Sequence, residues 1–158
     1  MYKFSFRRRR SWLLGLAILL IAVPEHAIAD SASCQRAVAA LTKMPEVEVL
    51  DERAAHFAYK PGGAIDLLCA AAIDLTIGVS PLPGPEFWPF FGRLARVLGV
   101  EPSEAIKAAQ ACRTSGERYK ANGKGLFEGD RFDTPTLHVD CRVGDNFLSL
   151  GVFKPPGE

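Results

Sequence analysis

The stretch Ile73–Val79 reads IDLTIGV, and its apolar residues alternate almost perfectly with small or polar ones. This period of two places the apolar side chains on one face of a β-strand. The surrounding apolar span, residues 64–79, has nearly the length of a membrane helix, but Asp66 and Asp74 lie within it. Each aspartate would cost about 2.5–3.5 kcal/mol at the middle of a bilayer. The stretch therefore predicts a strand with one buried face.

The pattern around this strand recurs later in the chain. Residues 65–69 (IDLLC) align with residues 137–141 (LHVDC), and residues 75–79 (LTIGV) align with residues 148–152 (LSLGV). Each pair of predicted strands follows a predicted helix that carries a cysteine. The echo predicts two helix-plus-hairpin repeats, although alternating strands with an inward cysteine are common enough for coincidence to be the alternative.

The chain has four cysteines, and all of them lie after residue 30: Cys34, Cys69, Cys112 and Cys141. An even number of cysteines in an exported chain predicts two disulfides. No C-x-x-C pair occurs, so the sequence indicates neither a thioredoxin-type redox site nor a zinc knuckle. One bridge within each repeat predicts the pairs Cys34–Cys69 and Cys112–Cys141.

The remaining periodicity supplies further strands and helices. The predicted elements are a helix over 33–44, strands over 47–50 and 54–59, and a helical hairpin whose members begin near Pro89 and at Pro102. A short extended piece is expected around residues 126–127. Together these elements predict an α+β fold. Its antiparallel sheet has about five or six strands and is covered on one face by three helices.

The N-terminus is typical of a secretory signal peptide. A basic segment, residues 1–10, precedes an uncharged apolar run over residues 12–23 and the sequence Ala27-Ile28-Ala29. The apolar run is shorter than the roughly 20 residues that a membrane-spanning helix needs. We expect cleavage after Ala29, which leaves a single disulfide-stapled domain over residues 30–158 with no membrane span.

Two other export signals are weaker alternatives. Arg9 and Arg10 precede Ser11, Trp12 and Leu13, which resembles a twin-arginine motif, but a run of four arginines contains such a pair by accident. Small residues precede Cys34, as they precede a lipidated cysteine, but the usual leucine is missing. Ordinary secretion to the periplasm or the medium remains the expectation.

The charge of the chain belongs largely to its N-terminus. The full chain carries 19 Lys and Arg against 18 Asp and Glu, whereas residues 30–158 carry 14 against 17, a net charge of −3. No basic stripe of the kind that binds a phosphate backbone is evident after residue 30. We therefore expect no nucleic-acid partner.

Catalytic motifs are sparse. His138 and Asp140 are two residues apart on a predicted strand, so they share a face and would suit an acid–base pair or two metal ligands. A catalytic metal usually has three protein ligands, and the third would come from Asp66, Asp74 or another acid. The solvated face of a sheet is the competing interpretation. No cofactor site and no metal site are predicted.

The segment 81–91 (PLPGPEFWPFF) holds four prolines and four aromatic residues. The aromatic residues, Phe87, Trp88, Phe90 and Phe91, exceed what the inner side of one helix start can hold. Exposed aromatic side chains on a stiff loop suit partner binding, so these four residues are a candidate interface. The alternative is that they fold back over the sheet as part of the core.

The sequence thus favours a non-catalytic exported protein that binds a protein partner or ligand in the cell envelope, with loop 81–91 as the candidate contact. The alternative is a small hydrolase or metal-dependent enzyme that uses His138 and Asp140.

Overall fold

The computed structural model of this chain describes residues 31–53, 55–69, 72–121 and 126–155. The predicted signal peptide and its cleavage site after Ala29 lie outside these residues. Three helices occur in the described part: α1 (Ser31–Leu41), α2 (Phe87–Val97) and α3 (Pro102–Ala121). None of them has the length and apolar character that crossing a membrane requires.

The described residues also form eight strands in one antiparallel sheet. These are β1 (Val47–Asp51), β2 (His56–Tyr59), β3 (Gly63–Cys69), β4 (Ile73–Val79), β5 (Phe127–Glu128), β6 (Phe132–Asp133), β7 (His138–Val143) and β8 (Leu148–Phe153). Their spatial order is β1-β2-β3-β4-β8-β7-β5, and β6 also pairs with β7. The sheet therefore consists of two consecutive halves that meet where β4 pairs with β8.

The α+β class, the antiparallel sheet and the three helices agree with the sequence prediction, but the strand count is eight rather than five or six. The two additional strands are β5 and β6, of two residues each. A two-residue strand is too short to show alternation, and only its pairing with β7 defines it. Of these two strands, the sequence indicates only β5, as the extended piece expected around residues 126–127.

One core lies between the sheet and the helices. The register places Leu75 opposite Val152 and Ile77 opposite Leu150 at the junction of the two halves, and all four side chains are fully buried. The three helices cover this face of the sheet, while the alternate strand positions face away from them. We call this second, helix-free surface the open face.

The apolar pattern of α3 ends at Cys112, and the polar, glycine-containing sequence from residue 115 indicates a loop, but the helix continues to Ala121. Its last turns, up to Ala121, are polar, but Ser115 and Gly116 are buried within them. The Ser115 hydroxyl donates to the carbonyl of Cys112 at 2.8 Å, which lets a polar residue lie inside without an unpaired group. The expected loop after residue 115 therefore begins only after the helix.

The two disulfides join Cys34 to Cys69 and Cys112 to Cys141, the pairing that the internal echo predicts. Each links a helix to the first strand of the hairpin that follows in its half, α1 to β3 and α3 to β7. Cys112 and Cys141 are buried, whereas Cys34 and Cys69 are half-buried.

Candidate functional site

The aromatic segment does not form the expected interface. Helix α2 starts at Phe87, and Phe87, Phe90 and Phe91 are 1%, 2% and 0% exposed. Their helical spacing turns all three rings toward the sheet, where the ring of Tyr59 stacks on Phe90 with centroids 4.5 Å apart. These three residues belong to the core, so the prediction that they contact a partner is corrected.

Trp88 is the one aromatic residue of the segment that remains partly exposed. It packs against the core, and the guanidinium of Arg113 lies 5.9 Å from the centroid of its ring. The same Arg113 donates a long hydrogen bond of 3.5 Å to the carbonyl of Pro83. Trp88 therefore ties the proline segment to α3, which is a structural role.

The open face carries most of the ionisable groups of the sheet. Its strand positions include seven carboxylates and one guanidinium: Glu48, Asp51, Asp66, Asp74, Glu128, Asp133, Asp140 and Arg142. The helices carry the opposite excess, with seven Lys and Arg against two Glu in their sequences. The small net charge of the chain hides this separation between an acidic sheet side and a basic helical side.

His138 lies among carboxylates at the centre of one row of the open face. The register aligns Asp74, Phe153, His138 and Asp133 across four strands. The Nδ1 atom of His138 contacts the Asp133 carboxylate, its Nε2 atom lies 3.7 Å from Asp140 Oδ2, and its ring stacks on Phe153 at 4.3 Å. Both ring nitrogens thus face a carboxylate.

Burial raises the pKa of Asp74 above its ordinary value of 3.8. The neighbouring Asp140 carboxylate raises this pKa further, whereas His138 lowers it. Like charges and partial desolvation both disfavour the ionised form of a carboxyl. Asp74, His138 and Asp140 therefore share one electrostatic environment, although Asp74 lies on β4 and the other two residues lie on β7.

The geometry does not supply the third ligand that a metal-dependent enzyme on His138 and Asp140 would need. Within the described residues, no group of three His, Cys, Asp or Glu side chains converges as a metal site requires. Asp66, the other acid suggested as a third ligand, lies on β3 in the first half of the sheet. There its carboxylate pairs with His56 Nδ1 at 2.5 Å.

A hollow of about 430 Å³ lies on the open face between β3, β4 and β8. Ala64 and Gly78, which are directly opposite each other, form its floor. Phe147, Asp66, Thr76 and Ser149 also line it. This hollow combines an aromatic surface, a carboxylate and hydroxyl groups at the helix-free side of the sheet.

Sequence reasoning identified His138, Asp140, Asp66 and Asp74 as groups of the polar sheet face, but it did not find the partners of the two histidines. His56 meets Asp66 because β2 and β3 pair in the register that places them opposite, and His138 meets Asp133 through the short strand β6. Phe147 also went unnoticed. Its one signal is its place next to residues 144–146 (GDN), a sequence typical of a hairpin turn.

Comparisons of the chain with protein-family models, with curated proteins and with solved structures found no match. The functional argument therefore depends on the geometry of the described residues.

Proposed function

We propose that this chain is a non-catalytic exported protein that binds a basic protein partner in the cell envelope, in the periplasm or outside the cell, through the open face of its sheet. The observation that carries the proposal is the concentration of seven carboxylates against one guanidinium on a sheet face that none of the described helices covers.

Export is supported by the signal-peptide pattern of residues 1–29 and by the two disulfides, which form and persist in oxidising compartments. A partner is supported by the exposed apolar groups that accompany the charges. Leu68 is 62% exposed and Phe147 is 37% exposed, both on or beside the open face. Charge complementarity mainly raises the association rate and selects the partner, while exposed apolar side chains supply buried area.

The proposal is tested by light crosslinking of intact cells that produce the tagged chain, followed by purification and identification of what is bound. A double variant, Asp66→Lys with Asp140→Lys, reverses two charges on the open face. The matched control, Glu101→Lys with Glu104→Lys, makes the same change at the start of α3. Thermal unfolding of each purified variant checks that it is folded.

We expect one dominant partner with a basic contact surface, lost with the open-face variant and kept with the control. A partner that is lost with the control and kept with the open-face variant would contradict the proposal.

A second candidate function is a small hydrolase that uses His138 as an acid or base. The contact of Asp133 with Nδ1 of His138 favours it, because a carboxylate on one ring nitrogen orients the other for proton transfer. Its test is a panel of chromogenic ester, phosphate and glycoside substrates, with the metal content of the purified protein measured alongside. Turnover that disappears in His138→Ala and Asp133→Asn would support this candidate over the binding protein.

A further inference from the structure

We propose that the hollow on the open face holds an arginine side chain of the basic partner, stacked on Phe147 and paired with Asp66. This inference rests on the proposed function, since it names the group by which that partner is anchored.

The position of the Phe147 ring provides the stacking surface. The amide of Gly144 donates to the carbonyl of Phe147 at 2.8 Å, which closes the turn between β7 and β8. From this turn the ring reaches over Gly78 on β4, where a Cβ would lie only 3.2 Å from its nearest carbon. The missing side chain at Gly78 therefore lets the ring lie across the sheet surface.

The floor and the opposite margin complete the hollow. Ala64, opposite Gly78, has a small side chain, which leaves space beside the Phe147 ring for the aliphatic stem of a long side chain. Asp66 lies at the margin and is 63% exposed. Its Oδ1 atom accepts from His56, and a carboxylate has about four lone-pair sites in all. Asp66 can therefore accept from a second cation without giving up its histidine.

The chemistry of the hollow favours arginine over lysine. A guanidinium is planar, stacks on aromatic faces and donates several hydrogen bonds in a fixed geometry, whereas an ammonium is compact and more strongly hydrated. The hydroxyls of Thr76 and Ser149 offer further acceptors at the same place. The acidic surroundings on the open face attract either cation, so discrimination between the two arises from Phe147.

The test measures the binding of two fluorescent peptides, nona-arginine and nona-lysine, to the purified chain by anisotropy at low and moderate salt. Two variants remove the groups of the hollow, Phe147→Ala and Asp66→Asn. Each has a matched control outside the hollow. Phe132→Ala removes a ring that is 36% exposed, close to the 37% of Phe147, and Glu117→Gln neutralises a carboxylate on α3 that is 46% exposed and paired with Arg113.

We expect nona-arginine to bind more tightly than nona-lysine. Phe147→Ala should weaken nona-arginine binding roughly two- to fivefold, the effect of one exposed cation–π contact. Asp66→Asn should weaken it by up to about fivefold, the effect of one exposed ion pair, while the controls change it less than about twofold. The arginine anchor would be overturned if both peptides bound with equal affinity and if the hollow variants bound no more weakly than the control variants. That result would leave the proposed acidic binding face intact. No binding of either peptide at low salt would overturn the proposed function as well.

A second copy of the chain is the other possible occupant, since its helices carry seven Lys and Arg. Sedimentation of the chain alone separates this case. We expect a monomer. Self-association that Phe147→Ala abolishes and Phe132→Ala does not would overturn the assignment to a separate partner.

Discussion

At the scale of single residues, Gly129 shows how closely the chain is fitted around the second disulfide. A Cβ at this position would lie 2.6 Å from Cys141 Sγ and 2.7 Å from Cys112 Sγ, and it would overlap the carbonyl oxygen of Cys112. The Gly129 amide donates to the carbonyl of Cys141 at 3.1 Å, and the Asp130 amide donates to the Ser115 hydroxyl at 2.6 Å. The loop after β5 is therefore held against the bridge by close backbone approach.

Gly129→Ala should lower the free energy of unfolding by about 1–3 kcal/mol, the usual cost of overpacking a filled site. The measurement is urea unfolding of the oxidised protein. Gly144→Ala is the matched control, because its nearest neighbours lie 3.5 Å away or more and need not move. If Gly144→Ala lost as much unfolding free energy as Gly129→Ala, the loss at Gly129 could not be attributed to close packing around the disulfide.

Asp74 makes stability depend on pH in a direction that is set by its raised pKa. A carboxyl whose pKa is higher in the folded chain binds its proton more tightly there than in the unfolded chain. Stability therefore falls as the pH rises from the ordinary value of 3.8 through the raised pKa, and the cost remains in full at neutral pH.

Asp74→Asn removes this cost, so we expect the variant to be more stable than the native chain at neutral pH. The advantage should shrink as the pH falls below the raised pKa. Thermal unfolding across the acid range measures it, with Asp145→Asn, at an 87% exposed side chain, as the control. A difference between Asp74→Asn and the native chain that does not change with pH would refute the raised pKa.

At the scale of helices and strands, the two disulfides close loops of similar length but lie in different surroundings. Their sequence separations are 35 and 29 residues, so loop closure alone gives each about 3.5–4 kcal/mol. Cys112 and Cys141 are buried below Gly129, whereas Cys34 and Cys69 are half-buried. Removal of the second bridge therefore also disturbs packed core.

We expect the double variant Cys112→Ala with Cys141→Ala to lose more unfolding free energy than Cys34→Ala with Cys69→Ala. Urea unfolding of both double variants gives the two losses, provided that the slope of the unfolding free energy against urea concentration is the same in each. A larger loss for the Cys34–Cys69 pair would contradict the view that burial around the second bridge adds to its effect.

The same scale explains what could be predicted from the sequence. Strands such as Ile73–Val79 are long enough for their alternation to name the buried face, and the repeated cysteine positions suffice to choose a pairing. The strands β5 and β6 are too short to show any period. The four aromatic residues of 81–91 were harder still, because the start of α2 decides which rings turn inward. A start at Phe87, two residues before Pro89, puts three of them in the core.

The candidate site could be predicted only in part, for a related reason. The side on which His138, Asp140, Asp66 and Asp74 lie follows from local alternation. Which of them meet follows from the register between neighbouring strands, such as β2 with β3 and β6 with β7. Register depends on turn geometry and on the hydrophobic pattern of both strands, so alternation within one strand does not reveal the His56–Asp66 and His138–Asp133 pairs.

At the scale of the whole molecule, the fold sorts charge into two layers. Acidic groups face outward from the sheet, while the helices on the other side carry seven lysines and arginines against two glutamates. The charge separation spans the core, which keeps the two layers apart. A basic partner would therefore approach the sheet side in a preferred orientation.

The most direct test of the open face as the binding surface is site-specific photo-crosslinking in intact cells. A photoreactive phenylalanine analogue replaces Leu68 on the open face, Trp88 on the proline segment, or Gln110 on the outer side of α3. The account predicts a crosslinked partner from position 68 and none from positions 88 and 110. A partner crosslinked from position 88 or 110 but not from 68 would contradict it and place the interface on the helical side.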